Sequence, residues 1–195
     1  MRLLPALVTI LPVSILTAQD LTTRETIARN LKQALSTQTQ LQWKQIPNTP
    51  GHETEAANVS STLTDVTIDM AGCTLSFKDG RLFPDQNYRS EQTWKLPLAE
   101  IDRTGVDSME GFVNRFRTEN GAEKWETRTS PAVFTLQFYA ASNNKFAVHR
   151  WSKNNTGEVI ERDLKQPYAF IVFGSEAAAK NAASALETAK AACRP

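Results

Sequence analysis

The sequence predicts an α+β fold: an antiparallel curled sheet or partly open barrel of about seven strands, with an N-terminal helix before it and a long C-terminal helix capping it. Three observations carry this reading. Apolar residues recur at every second position through much of residues 58–173, the period of half-buried strands. Ile27, Leu31 and Leu35 recur at every fourth, the period of an amphipathic helix. Ala179, Ala182, Leu186, Ala189 and Cys193 recur at spacings of three and four, the buried stripe of a second helix.

The chain has 195 residues. It opens on Met1-Arg2, runs apolar from Leu3 to Leu16, and turns polar after Thr17-Ala18. One positive charge, an apolar stretch and then small residues form the pattern of a secretory signal peptide, with cleavage expected after Ala18. The apolar run is roughly 14 residues, short of the about 20 that a spanning helix needs, and Pro5 and Pro12 interrupt it. Residues 1–18 are therefore read as signal peptide. Residues 19–57 are read as an N-terminal helix, short strand and polar loop, and residues 58–195 as a β-barrel-like body with the C-terminal helix. The mature chain is expected to be exported, periplasmic or extracellular, with no transmembrane segment.

Hydrophobic residues make up 41% of the chain and charged residues 22%, which is ordinary globular composition. The net charge is +1 and falls to zero once Arg2 is removed. Lysine and arginine are interleaved with acids, so no basic block exists to neutralise phosphates and nucleic acid is excluded as a partner. The two cysteines, Cys73 and Cys193, are an even count in an exported chain and predict one disulfide. It would close a loop of about 120 residues, worth roughly 4–5 kcal/mol on the chain-entropy account.

The first helix is expected over 22–36, where Thr22 and Glu25 have the spacing of a capping box. A short strand follows at 40–46, then a polar loop at 47–57 begun by Pro47 and Pro50-Gly51. Val59, Ser61 and Leu63 alternate, and so do Val66, Ile68 and Met70. After a bend at Ala71-Gly72, Cys73, Leu75 and Phe77 continue the alternation to Asp79-Gly80, a hairpin signal. Trp94, Leu96 and Leu98 mark another strand. Residues 106–117 are ambiguous, with Phe112, Asn114 and Phe116 placed to line one face of a strand. Residues 133–140 and 146–151 read as two strands of one hairpin, 158–162 as a short strand and 168–173 as the last. Ser175 is the expected N-cap of the final helix, on which Lys180, Asn181, Glu187 and Lys190 are expected to face water.

This order of elements resembles the pleckstrin-homology-like split β-barrel with its C-terminal capping helix. The likeness spans residues 58–193 and is carried by Trp94-Lys95-Leu96-Pro97-Leu98-Ala99-Glu100-Ile101-Asp102 and by Phe170-Ile171-Val172-Phe173-Gly174-Ser175-Glu176-Ala177 running into the helix. Members of that fold bind phosphoinositides or peptides. No basic cluster marks the first hairpin here, so a lipid-head-group site is not implied. A helix packed on a curved sheet around a ligand cavity, as in steroid-transfer-like folds, is the alternative architecture.

Motifs of catalysis are missing: there is no Gly-x-Ser-x-Gly, no His-Glu-x-x-His and no phosphate loop. His52 stands beside Glu53 and Glu55 in the polar loop, a weak metal-ligand grouping, and His149 sits in a strand as an ordinary surface histidine. Asp65, Asp69, Asp102 and Asp107 are scattered and define no acid–base pair. Trp125, Trp94, Trp151 and Tyr139 are the candidate contacts for a ligand or partner, Trp125 foremost because its neighbours are charged. No cofactor and no metal are implied. The chain reads as an exported, non-catalytic binding or structural module whose ligand is an unknown protein or small apolar molecule. A cavity-based carrier of lipid or another apolar ligand, or an enzyme without a recognisable motif, is the alternative.

Overall fold

A computed structural model describes residues 18–37, 40–47, 53–119, 127–141 and 144–194. The stripe of Ile27, Leu31 and Leu35 builds helix α1 (Ala18–Leu35), with Leu31 and Leu35 fully buried. The helix begins four residues before the expected start, so Thr22 lies within it and is not its cap. Strand β1 (Gln40–Pro47) buries Trp43.

The two alternating runs that follow form one long strand, β2 (Ala57–Asp69). Its buried positions are Val59, Ser61 and Leu63, then Val66. The phase changes at Asp65, which takes a left-handed φ of 54° where the register shifts between Thr64 and Thr67. A bulge there keeps both runs facing the core. A turn at 70–73 leads to β3 (Thr74–Phe83). Asp69 Oδ1 accepts the Ala71 and Gly72 N–H groups at 2.9 Å. A Cβ at Gly72 would lie 2.5 Å from Asp69 Oδ2, so a larger residue there would displace the carboxylate that holds the turn.

The expected hairpin at Asp79-Gly80 is not there. Both residues lie inside β3, and the chain reverses at a 3-10 turn, Pro84–Gln86, and Asn87. Asp79 is buried, and a Cβ at Gly80 would lie 2.5 Å from Thr62 Oγ1. This glycine leaves room for the Thr62 hydroxyl of the neighbouring strand and does not serve a turn. Strand β4 (Tyr88–Pro97) then passes through a 3-10 turn, Leu98–Glu100, into β5 (Ile101–Ser108).

Residues 109–119 are helical, correcting the strand reading of Phe112, Asn114 and Phe116. Helix α2 (Met109–Glu119) places Met109, Phe112 and Val113 on its packed face at helical spacing. Ser108 Oγ accepts the Gly111 N–H at 2.9 Å, the N-cap bond that starts it. Strands β6 (Thr127–Ser130), β7 (Phe134–Ala140), β8 (Phe146–Lys153), β9 (Val159–Gln166) and β10 (Tyr168–Phe173) follow, then helix α3 (Glu176–Ala192). Ser175 caps α3 by accepting the Ala178 N–H.

The ten strands form two antiparallel sheets, ordered β6-β1-β2-β3-β4-β8-β9 and β10-β7-β5. The expected β7–β8 hairpin is therefore corrected: β7 pairs with β10 and β5, and β8 pairs with β4 and β9. One residue, Pro167, separates β9 from β10 and turns the chain from the large sheet into the small one. Proline has no N–H to offer either ladder, which suits a corner. Its carbonyl accepts the Ala140 N–H at 2.9 Å. The sheet thus curls without closing into a barrel. Between β5, an edge of the small sheet, and β6, an edge of the large one, sits α2, which touches both, and Asn114 Oδ1 accepts the Thr127 N–H at 3.2 Å.

Helix α3 packs on α1 and on β5, β7 and β10 through Ala179, Ala182, Leu186 and Ala189, all fully buried. Short alanines let it lie close to the sheet. That closeness also corrects the expectation for Lys190, which is 2% exposed. Its Nζ donates to Glu187 Oε1 at 2.9 Å and approaches the Asp102 carbonyl at 3.5 Å. Glu187 also accepts from Thr104 Oγ1 at 2.8 Å. Partial burial raises the Glu187 pKa, but the Lys190 and Thr104 hydrogen bonds outweigh it and hold the group below its ordinary value.

Cys73 and Cys193 form a disulfide across a sequence separation of 120, with Cα atoms 5.6 Å apart. It ties the end of α3 to the β2–β3 turn. Replacing both cysteines by serine is expected to lower unfolding free energy by roughly 2–5 kcal/mol, measured by urea denaturation, and reduction of the native protein is expected to match it.

Candidate functional site

The site is built by the inner face of the large sheet, and strand register fixes its layout. Phe77, Trp94, Val148 and Leu164 lie in one cross-strand row, all buried or half-buried. The next row runs Leu63, Asp79, Gln92, Arg150, Arg162. The one after it runs Leu41, Ser61, Arg81, Ser90, Ser152, Ile160. The inner face therefore changes within one row from apolar to a belt of serine, aspartate and arginine. Trp43 and Val59 make the surface apolar again beyond the belt, in a second cluster with Phe112 and Val172.

At one end of the belt, Asp79 is buried and faces Arg81 from two residues away on the same strand. Arg81 Nε donates to Asp79 Oδ1 at 3.2 Å, and Nη2 lies 3.0 Å from Oδ2. Ser61 Oγ donates to Oδ1 at 3.4 Å. The guanidinium carbon lies 4.9 Å from the Phe170 ring centre and 5.9 Å from that of Trp43. Burial pushes the Asp79 pKa up, while the Arg81 charge and the hydrogen bonds from Arg81 and Ser61 pull against it, leaving it raised.

At the other end, a trough of about 260 Å³ is lined by Tyr88, Arg150, Ser152, Ile160, Arg162 and Leu164. Arg150 Nη2 donates to Tyr88 Oη at 2.9 Å. Arg150 Nε is buried without a hydrogen-bond partner. Partial burial raises the Tyr88 pKa, but the Arg150 hydrogen bond and charge, with hydrogen bonds from Ser152 and Ser90, more than offset it and hold the phenol below 10.0. A second hollow, of about 290 Å³, lies between α1 and the β2–β3 turn, lined by Arg24, Ala28, Ile68 and Met70 among others.

The candidate contact residues are not brought together. Trp94 is 4% exposed in the main core. Trp151 lies on the outer face of the large sheet, with Arg89 5.8 Å from its ring centre. Tyr139 belongs to the small sheet, where it donates to Gln137 Oε1 and Arg103 stacks on it at 4.1 Å. Trp125 and His52 lie outside the described residues. His149 is exposed on the outer face, its Nδ1 2.9 Å from Asp163 Oδ1. Asp65 pairs with Lys78, Asp69 holds its turn and Asp107 pairs with Arg115. No cluster of metal-ligating side chains and no helix apolar enough to cross a membrane occurs among the described residues. The residues that the sequence reading missed are Asp79, Arg81, Tyr88, Arg150 and Arg162. Their signal was phase: three of them, Asp79, Arg81 and Arg150, share the alternation of Leu75 and Phe77 or of Phe146 and Val148 while being polar.

Two outcomes follow from this geometry. Asp79→Ala leaves the largely covered Arg81 guanidinium without its acid and is expected to cost about 3 kcal/mol in denaturant unfolding, whereas Asp79→Leu combined with Arg81→Met is expected to recover most of that loss. In an ultraviolet pH titration one of the three tyrosines is expected to ionise below the usual phenol range, and Tyr88→Phe is expected to remove that early step.

No family model, no curated protein and no solved structure matches the chain.

Proposed function

We propose that the chain is exported and acts as a small-ligand binding module, with its site in the trough of the curled sheet. The Met1–Ala18 pattern supports export, and the Cys73–Cys193 disulfide suits an oxidising compartment. The trough itself carries the binding reading: a concavity of about 260 Å³ where polar groups (Tyr88, Arg150, Ser152) converge beside apolar ones (Ile160, Leu164). Most ligand sites combine apolar walls with a few placed polar groups in this way. The hollow beside α1, with Ala28, Ile68 and Met70 in its lining, favours a second reading as a carrier of an apolar ligand.

Native mass spectrometry of the full chain, purified from the compartment where it accumulates, tests both parts. The expected mass begins near Gln19, with an added small molecule that Ser152→Phe, which fills the trough, releases. A chain retaining its first residues overturns export. Wild-type protein with no adduct, and no trough resonance moved by a small-molecule library, overturns the binding reading. An adduct retained by a folded Ser152→Phe assigns the ligand to the hollow beside α1.

A further inference from the structure

Arg150 and Arg162 are direct partners across the β8–β9 ladder and line the same trough. Like charges placed opposite one another on a sheet repel, and such pairs are usually relieved by a nearby acid. Here none is near. On β9 the acids Glu161 and Asp163 alternate onto the outer face, where Asp163 meets His149. On β4 the acid Glu91 also faces outward, toward Lys78. Asp79 stands in the same row, but two strands from Arg150, about 10 Å away, and is already engaged by Arg81. Among the described residues no acidic side chain pairs with Arg150 or Arg162.

The rest of the trough fits the same chemistry. Arg150 Nε is a buried donor with no acceptor, an arrangement that costs free energy until an acceptor arrives. Tyr88 and Ser152 supply hydroxyls beside it. Ile160 and Leu164, on the rows either side of Arg162, supply an apolar wall. Two guanidinium forks next to hydroxyls match an oxyanion, which accepts several hydrogen bonds at once.

We propose that the trough binds a small amphiphile by its oxyanion head, a carboxylate or a phosphate, with the head between Arg150 and Arg162 and a short apolar tail along Ile160 and Leu164. The assignment rests on the reading of the trough as the binding site, and it adds the charge of the ligand.

Isothermal titration and NMR shift mapping on the mature chain use four probes: octanoate, octyl phosphate, octanol and octylammonium. Octanoate, octyl phosphate or both are expected to bind and to move the Arg162 and Ser152 resonances. Octanol and octylammonium are expected to bind at least tenfold more weakly. The tighter of the two anions decides between carboxylate and phosphate. Arg162→Gln, at an exposed position that should leave folding intact, is expected to weaken the anion by roughly tenfold or more. Arg89→Gln, which removes the same charge from the outer face, is expected to leave binding unchanged. Octanol binding the same residues as tightly as the anions, with no loss in Arg162→Gln, overturns the oxyanion head and leaves the trough as a site. Silence from all four probes at the trough overturns both.

Discussion

The inner face of the large sheet has to be covered, and a buried ion pair decides where the covering stops being apolar. Asp79 and Arg81 sit on the core face of β3, directly after Leu75 and Phe77. Taking two charges out of water costs several kcal/mol for each. The cost is offset by the Arg81–Asp79 contacts, the Ser61 hydroxyl and the two rings that flank the guanidinium. Such a pair adds little net stability, but it opposes register slippage: a shift of one residue would send Asp79 and Arg81 together to the outer face, away from Ser61, Trp43 and Phe170, and would turn their polar neighbours inward. The pair also links the sheets, because Phe170 belongs to β10 while Arg81 and Trp43 belong to the large sheet.

The two ends of the belt are held by different means. Near β1, the second apolar cluster and α2 fill the space between β5 and β6, and Asp79 is buried with Arg81 largely covered beside it. Near β9 the sheet turns away at Pro167 and nothing in the small sheet lies in the trough lining, so Arg150 and Arg162 keep their access to solvent. The belt thus carries an arginine held by an acid at one end and two arginines without an acid at the other. The α1–α3 layer and the disulfide stiffen the far side of the molecule, where α3 is tied to the β2–β3 turn. They leave the β8–β9 side free of any clamp among the described residues.

Much of this frame was legible in the sequence, because period and punctuation are local. The Ala179–Ala189 stripe, the Ser175 cap and the last strand come directly from spacing. The cysteine pair came from counting and from phase. What failed were inferences that depend on partners far along the chain. Asp79-Gly80 has turn chemistry, yet Gly80 is needed where Thr62 comes close. Residues 133–140 and 146–151 look like one hairpin, yet each strand pairs within a different sheet. Lys190 is polar and near a helix end, yet the narrow alanine stripe beside it brings the sheet close enough to bury it. The site was hidden for the same reason. Arg150 shares the phase of Phe146 and Val148, but its meeting with Arg162 and Tyr88 depends on which strands become neighbours.

The Arg150–Arg162 pair also says something about what the fold is for. Opposed like charges destabilise a sheet, and an unsatisfied buried donor costs about 1–3 kcal/mol more. Relief was available within a single strand: Glu161 and Asp163 flank Arg162, and exchanging the order of either neighbour with it would set an acid opposite Arg150. The sequence instead keeps both acids on the outer face and the arginine on the inner one. At the other end of the belt Arg81 still holds Asp79 through Nε, although its Nη2 also lacks a hydrogen bond, whereas neither Arg150 nor Arg162 has an acid beside it in the concave part of the inner face that opens to solvent. Local rules that hold along most of a sheet and break at its open concavity are what a binding site requires, because donors already satisfied by the protein have nothing left to offer a ligand.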